Sequence, residues 1–283
     1  MVPGEVSSWL LERGYGEVVS SQYTGGGCIN NGATLGTRAG VTFFLKTNPQ
    51  APGDMFAREA EGLQALAIPG APQVPKPYLW GGGYLLLEDL SPAARRADYW
   101  AVFGRQLAHL HNHTHPEFGF QHDNFIGSTP QPNPWTANGH AFFIEHRLLF
   151  QARLAGSKGL LDGAEVRRVE KLAANLEALV PVQPASLIHG DLWSGNALAD
   201  AHGSPALIDP AAHYGWAEAE LGMTALFGAF PTAFYQAYEE TRPLQRDYQQ
   251  RFPIYNLYHL LNHLNLFGGG YRSQVLSILR RHT

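Results

Sequence analysis

Leu187-Ile188-His189-Gly190-Asp191-Leu192-Trp193-Ser194-Gly195-Asn196 is the stretch that decides the fold, and Ala206-Leu207-Ile208-Asp209-Pro210 follows it. Each part begins as a short apolar strand and carries an acid beyond the strand. Phosphoryl transfer needs one carboxylate to receive or orient an acceptor hydroxyl. It also needs an amide and a second carboxylate to hold Mg²⁺ against nucleotide phosphates. Asp191, Asn196 and Asp209 supply that set.

The spacing within the first part supports this interpretation. Asn196 follows Asp191 by five positions, as the Asn follows the Asp in the catalytic loop of protein kinases. A simpler alternative is that both residues cap turns around Gly190 and Gly195, because Asp, Asn, Ser and Gly are ordinary turn residues. A second acid directly after a Leu-Ile strand favours the catalytic interpretation.

A lysine and a glutamate form the next signal. Lys46 ends the β-branched and aromatic run 41–45, and Glu59 shares a helical stripe with Phe56 and Leu63. A carboxylate on a buried stripe needs a cation nearby. Lys46 is the obvious candidate, and such a strand-lysine to helix-glutamate pair positions ATP phosphates in kinases. The alternative is a solvated helix edge, because charged residues flank Glu59.

A glycine-rich stretch precedes Lys46. Gly25, Gly26 and Gly27 lie between two predicted strands, where backbone N–H groups can approach phosphate oxygens closely. The stretch does not match the Walker pattern, and an ordinary hairpin turn explains it as well. Cys28, the only cysteine, lies inside it. Two interpretations of Cys28 stay open: a redox-active thiol, or a small buried apolar residue.

Composition narrows the class of protein. The 283 residues are 45% hydrophobic and 16% charged, which is typical of a packed globular chain. A net charge of −4 lacks the basic excess that nucleic-acid binding needs. No apolar run approaches the ~20 residues of a membrane span, and the first residues do not resemble a secretory leader. A single cysteine fits a reducing compartment, so we expect a cytoplasmic protein without nucleic-acid or membrane partners.

The pattern of elements predicts two lobes. Residues 1–90 alternate short apolar strands with glycine-rich turns and contain one helix, whereas residues 91–283 are mainly helical with a strand and loop insert near 186–210. We place the boundary at 88–92 and expect nucleotide in the first lobe and substrate in the second. Asp98 is a predicted helix N-cap. A capping box from Asp162 is predicted to start a helix that runs to Pro181.

The chemistry-bearing segments also resemble a known family. His189-Gly190-Asp191-Leu192-Trp193-Ser194-Gly195-Asn196 followed by Asp209-Pro210-Ala211 is similar to the signature of the fructosamine kinases. Aminoglycoside phosphotransferases and choline kinases more often carry His-Pro after the first Asp-Leu or Asp-Phe. Further matches lie at residues 119–127, 129–133 and 261–268.

This resemblance implies an α+β, bilobal protein-kinase-like (aminoglycoside phosphotransferase-like) fold and the use of ATP and Mg²⁺. It implies phosphorylation of a sugar hydroxyl, O3, of ketoamines or glycated protein side chains. A kinase for another small alcohol or amino sugar, or a nucleotide-binding module without catalysis, remains the alternative. Transferred residue by residue, it implies Asp191 as base, Asn196 and Asp209 as Mg²⁺ ligands, Lys46 and Glu59 as the nucleotide pair, Glu88 at the adenine hinge, and Trp193 and Asn124 on the sugar side.

Two features depart from or compete with this picture. Trp216 and Ala217 stand where the family often has His and Arg, which puts acceptor choice in doubt. Four histidines at positions 109, 111, 113 and 115 have a spacing that a metal site can use, although helix-end histidines more often interact with the C-terminal carbonyls. The sequence does not decide between a monomer and a homodimer.

Overall fold

A computed structural model describes residues 2–24 and 30–282. The amino-terminal part is an antiparallel five-stranded sheet of order β1-β2-β3-β5-β4, flanked by two helices. Its elements are α1 (Gly4–Glu12), β1 (Val18–Thr24), β2 (Asn31–Thr37), β3 (Thr42–Thr47), α2 (Met55–Leu66), β4 (Pro77–Gly81) and β5 (Tyr84–Glu88).

Side chains along β3 alternate between the two faces of the sheet, so neighbouring residues contact different helices. Phe43 and Leu45 face α1 and pack in one apolar cluster with Leu10. Phe44 packs instead in a second cluster that contains Phe56 of α2. Lys46 shares the pleat of Phe44, so the alternation places its amine on the side of the sheet that α2 covers.

The carboxy-terminal part is mainly helical. Its helices are α3 (Tyr99–His111), α4 (Gly139–Phe143), α5 (Phe150–Ser157), α6 (Gly163–Ala174), α7 (Leu176–Leu179), α8 (Ala217–Leu226), α9 (Thr232–Thr241), α10 (Tyr248–Phe267) and α11 (Arg272–His282), with a π-helical turn at Ile144–Leu149 and a 3₁₀ turn at Gly269–Tyr271. The large apolar core lies here, and helices α3, α8, α9 and α10 contribute much of it.

Short strands in this part position the predicted catalytic segments. They are β6 (Thr114–His115), β7 (Asn124–Ile126), β8 (Thr129–Gln131), β9 (Ala185–Ile188), β10 (Ala197–Ala199), β11 (Pro205–Leu207) and β12 (His213–Gly215). Strand β9 lies between β12 and β6, and β10 pairs with β11 as a hairpin. Asp191 therefore follows a central strand, and Asp209 follows the second strand of the hairpin.

The segment that joins the two parts is anchored to this hairpin. The backbone N–H of Ala93 donates to the carbonyl of Asp200 at 3.2 Å, and that of Arg96 donates to the carbonyl of Gly203 at 3.1 Å. These bonds tie residues 93–96 to the carboxy-terminal part. The predicted boundary at 88–92 precedes both bonds and stays a prediction.

The predicted helix boundaries are confirmed only in part. Asp162 accepts a hydrogen bond from the N–H of Glu165 and completes the predicted capping box. Asp98 precedes α3, but its side chain makes no capping bond; it pairs with Arg96 instead. The helix predicted to continue to Pro181 is interrupted at Asn175, whose side-chain amide donates to the carbonyl of Lys171 at 3.0 Å. Such local side-chain bonds compete with the helix ladder.

Helix α1 is absent from our sequence-based prediction. Among the helices of residues 2–24 and 30–282, none combines the length and the apolar character needed to cross a membrane.

Candidate active site

A cleft of about 710 Å³ lies between the five-stranded sheet and the helical part. It gathers the predicted site residues that the structure describes: Lys46, Glu59, Glu88, Asn124, Asp191, Trp193, Asn196 and Asp209. The predicted phosphate-loop residues Gly25, Gly26 and Gly27, together with Cys28, lie outside the described residues. Side chains up to 163 positions apart in sequence thus line one space.

Lys46 is the centre of the charge arrangement in this cleft. Its amine forms ion pairs with the carboxylates of both Glu59 and Asp209. Burial alone would lower the pKa of Lys46, but the charges of Asp209 and Glu59 outweigh it and raise the pKa above its usual value. Lys46 and Glu59 are largely buried, whereas the side chain of Asp209 remains 42% exposed. Lys46 therefore stays protonated at neutral pH, and its ammonium group lies next to the partly exposed carboxylate of Asp209.

Asp191 lies in an environment that raises the pKa of its carboxyl group. Burial, followed by the nearby charge of Asp209, raises its pKa to about 7. The side-chain amide of Asn196 donates to the backbone carbonyl of Asp191 at 2.8 Å and approaches its carboxylate oxygen Oδ2 at 3.4 Å. A carboxylate whose pKa lies near neutral pH is well matched to accept a proton from a hydroxyl.

His189 connects the two catalytic segments. Its Nε2–H donates to the carbonyl of Ile208 at 2.8 Å, and its Nδ1 accepts from the N–H of Asp191 at 3.2 Å. Burial lowers the pKa of His189, so the ring is neutral and this tautomer is the one the contacts require. The imidazole ring of His189 thereby links Ile208, the residue before Asp209, to the backbone of Asp191.

Glu220, on α8, is a residue that sequence reasoning missed. Its carboxylate accepts hydrogen bonds from the backbone N–H of His189 at 3.1 Å and of Gly190 at 2.7 Å. It also accepts from Nε2 of His111 at 2.7 Å. Although burial opposes ionisation, these hydrogen bonds and charges lower the pKa of Glu220. A buried anion thus holds the turn before Asp191.

Close approaches favour glycine at two positions of the catalytic loop. Gly190 adopts a φ of +84°, and a Cβ there would lie 2.2 Å from the carbonyl oxygen of Ala211. A Cβ on Gly195 would lie 2.4 Å from the ring of Trp193. The Trp193 ring is 38% exposed and packs edge-on to Phe227 at 6.3 Å between centroids. Gly195 therefore leaves the space in which the Trp193 ring lies.

The donor set of the cleft fits a magnesium ion. Asp209 presents a partly exposed carboxylate in the left-handed region, at a φ of +58°, and Asn196 presents an amide beside it in the same cleft. Mg²⁺ is usually held by one or two protein oxygens and by substrate phosphates rather than by an all-protein cage. No group of three or more His, Cys, Asp or Glu side chains within the described ranges is arranged to hold a metal. Asp209 and Asn196 are the residues that would hold the ion.

The remaining predicted residues have contacts of a different kind. Asn124 is buried: its amide donates to the carbonyl of Ala212 at 2.8 Å, and its oxygen accepts from Gln131 and Asn133 at 2.7 and 3.0 Å. These bonds favour a structural role over sugar binding. Glu88 lies at the cleft and accepts from the N–H of Lys76 at 3.2 Å.

Trp216 is not part of the cleft. It is buried in the carboxy-terminal core, where its ring lies 5.1 Å from that of Phe143, and Ala217 is buried after it. The two positions where this chain departs from the family pattern therefore lie in the core and not in the cleft. Of the four clustered histidines, His111 supports Glu220 and accepts from the hydroxyl of Tyr238 at 2.8 Å. His115 stacks on Trp135 at 4.3 Å.

Comparison with known proteins decides the family. The sequence profile described as fructosamine kinase matches residues 7–283. The chain belongs to the fructosamine kinase family. Among its relatives, a probable ketoamine kinase of Synechocystis sp. is 45% identical over 90% of this chain and 88% of its own length. The chloroplastic protein-ribulosamine 3-kinase of Oryza sativa subsp. indica is 40% identical over 97% and 82%.

Solved structures agree with this assignment. A Thermobifida fusca protein assigned to the fructosamine-3-kinases superposes with a TM-score of 0.89 at 32% identity, covering 99% of this chain and 98% of its own. The aminoglycoside phosphotransferase APH(4)-Ia superposes with a TM-score of 0.61 at 16% identity, covering 98% of each chain, and shows the fold alone. The predicted family, the bilobal protein-kinase-like fold and the kinase class of this fructosamine kinase family member are confirmed.

Proposed function

We propose that this member of the fructosamine kinase family transfers the γ-phosphate of ATP to O3 of a ketoamine and thereby starts its deglycation. The observation that carries the proposal is the gathering of Lys46, Asp191, Asn196 and Asp209 in one cleft. The names of the relatives, ketoamine kinase and ribulosamine 3-kinase, support the acceptor. The substrate is a small ketoamine or a glycated protein side chain, and a cytoplasmic location stays a prediction.

In this proposal each residue has a distinct task. Asp191 receives the proton of the attacking hydroxyl, for which a pKa of about 7 is suitable. Lys46, held by Glu59, binds phosphate oxygens of ATP. Asn196 and Asp209 would hold Mg²⁺, which would neutralise charge on the nucleotide phosphates. Backbone groups near Glu88 meet adenine, and Trp193 lies against the sugar.

The chemistry of the product explains deglycation. A ketoamine carries a carbonyl at C2 and a hydroxyl at C3, and phosphate is a far better leaving group than hydroxide. Loss of a C1 proton gives an enol, and its electrons then expel the C3 phosphate as the C3–O bond breaks. Water hydrolyses the resulting imine to the free amine and a deoxy-dicarbonyl sugar. These later steps need no further catalysis.

A time-resolved assay tests the proposal. The enzyme is incubated with ATP, Mg²⁺ and lysine adducts of ribulose, erythrulose or fructose type, with choline and aminoglycosides as comparison acceptors. We expect ADP first, and inorganic phosphate and free lysine later. A stable phosphoester without amine release, or turnover only of the comparison acceptors, would contradict the ketoamine acceptor. ATP binding without acceptor-dependent ADP would indicate a non-catalytic module.

A further inference from the structure

His259, on α10, lies close to the proposed base Asp191. Its Nδ1 lies 4.0 Å from Oδ1 of Asp191. The atom is sealed from solvent and has no hydrogen-bond partner among the described residues. A buried polar atom without a partner is costly, so its position needs a reason.

The helix offers His259 a local partner that it does not use. One turn later, Nδ1 of His263 donates to the carbonyl of His259 at 2.8 Å, the usual bond of a histidine to the preceding turn. Nδ1 of His259 makes no such bond and lies near the Asp191 carboxylate instead. The two histidines occupy equivalent places on one helical face, which makes the different rotation specific to the position next to Asp191.

Charge decides which nitrogen of His259 carries the proton. Burial, followed by the nearby charges of His263 and Arg147, lowers the pKa of His259 to about 3. The ring is therefore neutral and has one N–H. A lone pair on Nδ1 would repel the carboxylate 4.0 Å away, whereas an N–H would attract it. The favoured tautomer thus places the N–H on Nδ1.

We propose that His259 is a positioning residue that orients Asp191 through an Nδ1–H donor at Oδ1. Asn196 approaches Oδ2 at 3.4 Å, so the two side chains flank the carboxylate from its two oxygens. Each carboxylate oxygen keeps a lone pair for the acceptor hydroxyl, because an ionised carboxylate can accept about four hydrogen bonds. The 4.0 Å separation shortens when substrate fills the cleft, as catalytic hydrogen bonds often do.

Three substitutions at His259 distinguish the effect of the Nδ1–H donor from the effect of ring packing. The amide nitrogen of Asn reaches the position of Nδ1, that of Gln reaches the position of Nε2, and Leu provides neither. With the proposed ketoamine reaction as assay, on which this inference rests, we expect His259→Asn to keep kcat within about threefold of wild type. We expect His259→Gln and His259→Leu to lower kcat roughly 10- to 100-fold with KM for ATP and acceptor changed less than about threefold.

A coupling experiment and a matched control complete the test. In an Asp191→Asn background, His259→Leu should cause no further loss of turnover, because the two residues act as one unit. His140→Leu removes another buried histidine, bonded to the carbonyl of Val180 at 2.8 Å, and should lower stability without lowering kcat. Unfolding midpoints of all variants identify any loss of fold.

The outcomes are distinguishable. Equal kcat losses in the Asn and Leu variants, losses confined to KM, or unchanged kcat in all three would overturn the positioning role. If His259→Leu does not fold, the comparison of Asn with Gln still decides. A wild-type enzyme that phosphorylates no ketoamine contradicts the proposed function instead; the His259 variants are then compared with the hydroxyl acceptor that the wild type does use.

Discussion

Glu220 accepts a hydrogen bond from the backbone N–H of Gly190, at 2.7 Å, in the turn that leads to Asp191. The Glu220 side chain is 0% exposed, so water offers no substitute for this acceptor. Glu220→Gln replaces one accepting carboxylate oxygen by an NH₂ group, which would face N–H groups that now donate to Glu220. We expect a loss of roughly 1–3 kcal/mol in the free energy of unfolding. We also expect turnover to fall about 10- to 100-fold, as for other groups that orient a catalytic centre.

Glu218 provides the matched control on the same helix. It pairs with Arg251 at 2.7 Å and accepts from the hydroxyl of Tyr255 at 3.0 Å, without contact to the catalytic loop. Glu218→Gln should therefore reduce stability while kcat stays within about twofold of wild type. Denaturant unfolding and steady-state kinetics of both variants are the measurements. A Glu220→Gln protein that is destabilised but fully active would remove the link between Glu220 and catalysis.

Asp191→Asn tests the base. We expect turnover to fall by several orders of magnitude while ATP affinity is nearly unchanged, because the proton acceptor is lost but the phosphate-binding groups remain. Calorimetric titration of ATP and a single-turnover assay measure the two quantities. Near-normal turnover would exclude Asp191 as the base.

Asp209→Asn differs from that variant in its expected effect on metal. Removing this charge takes away a proposed Mg²⁺ ligand and one of the two partners of Lys46. We expect weaker binding of Mg²⁺-ATP together with lower turnover. Titration of Mg²⁺ into the ATP complex of both proteins is the measurement, and equal metal affinities would contradict the assignment.

Gly195→Ala tests the space that the Trp193 ring occupies. The new methyl would lie 2.4 Å from the present ring position, so the partly exposed ring must move. If Trp193 lies against the sugar, KM for the acceptor should rise about tenfold or more, with KM for ATP little changed. Gly53→Ala, where an added Cβ meets no atom within 4 Å, is the control. Unchanged acceptor KM in Gly195→Ala would argue against Trp193 as a sugar contact.

Acid should destabilise this fold before most carboxylates titrate. Burial lowers the pKa of His111, His189, His213 and His259 below 6.5, so these rings are neutral in the folded state and become protonated on unfolding. Their contribution to stability is complete above about pH 6.5 and declines as the pH falls. Each contributes at most about 1.4 kcal/mol per pH unit. Asp191, whose pKa is raised to about 7, has the opposite effect on stability, because below that pH the folded protein holds one proton that the unfolded chain releases.

Urea unfolding at pH 7.5, 6.5 and 5.5 checks this expectation. The free energy of unfolding should decrease below pH 6.5, with a slope that corresponds to the uptake of about two or more protons on unfolding. A free energy that is independent of pH over this range would show that the histidines are not held neutral.

How much of the site the sequence predicts depends on where the interacting partners lie. Asp191, Asn196 and Asp209 share two short motifs, and the alternation along β3 makes Lys46 and Glu59 predictable neighbours. Glu220 escapes such reasoning because a glutamate in the first turn of a helix is ordinarily a solvated charge. Nothing in the local sequence shows that Glu220 meets the turn at Gly190, which lies thirty residues earlier in the chain.

The same limit explains two other differences. Asn124 belongs to a motif that the family shares, yet three hydrogen bonds within the protein use its side chain. Helix α1 buries only Val6 and Leu10, one apolar pair at helical spacing, which is too short a pattern to distinguish from a strand end. Packing partners from distant segments decide these cases.

The two backbone bonds that tie residues 93–96 to the β10–β11 hairpin have a consequence for motion between the lobes. These bonds favour residues 93–96 moving with the carboxy-terminal part, so we expect any opening of the cleft to pivot within the predicted boundary at 88–92. Ser91 there already has a positive φ, at +46°. The ion pair between Lys46 and Asp209 joins the two parts of the chain across the cleft. If ATP binds as proposed, we expect its phosphates to compete with Asp209 for the Lys46 amine, so that nucleotide binding weakens this link between the two parts.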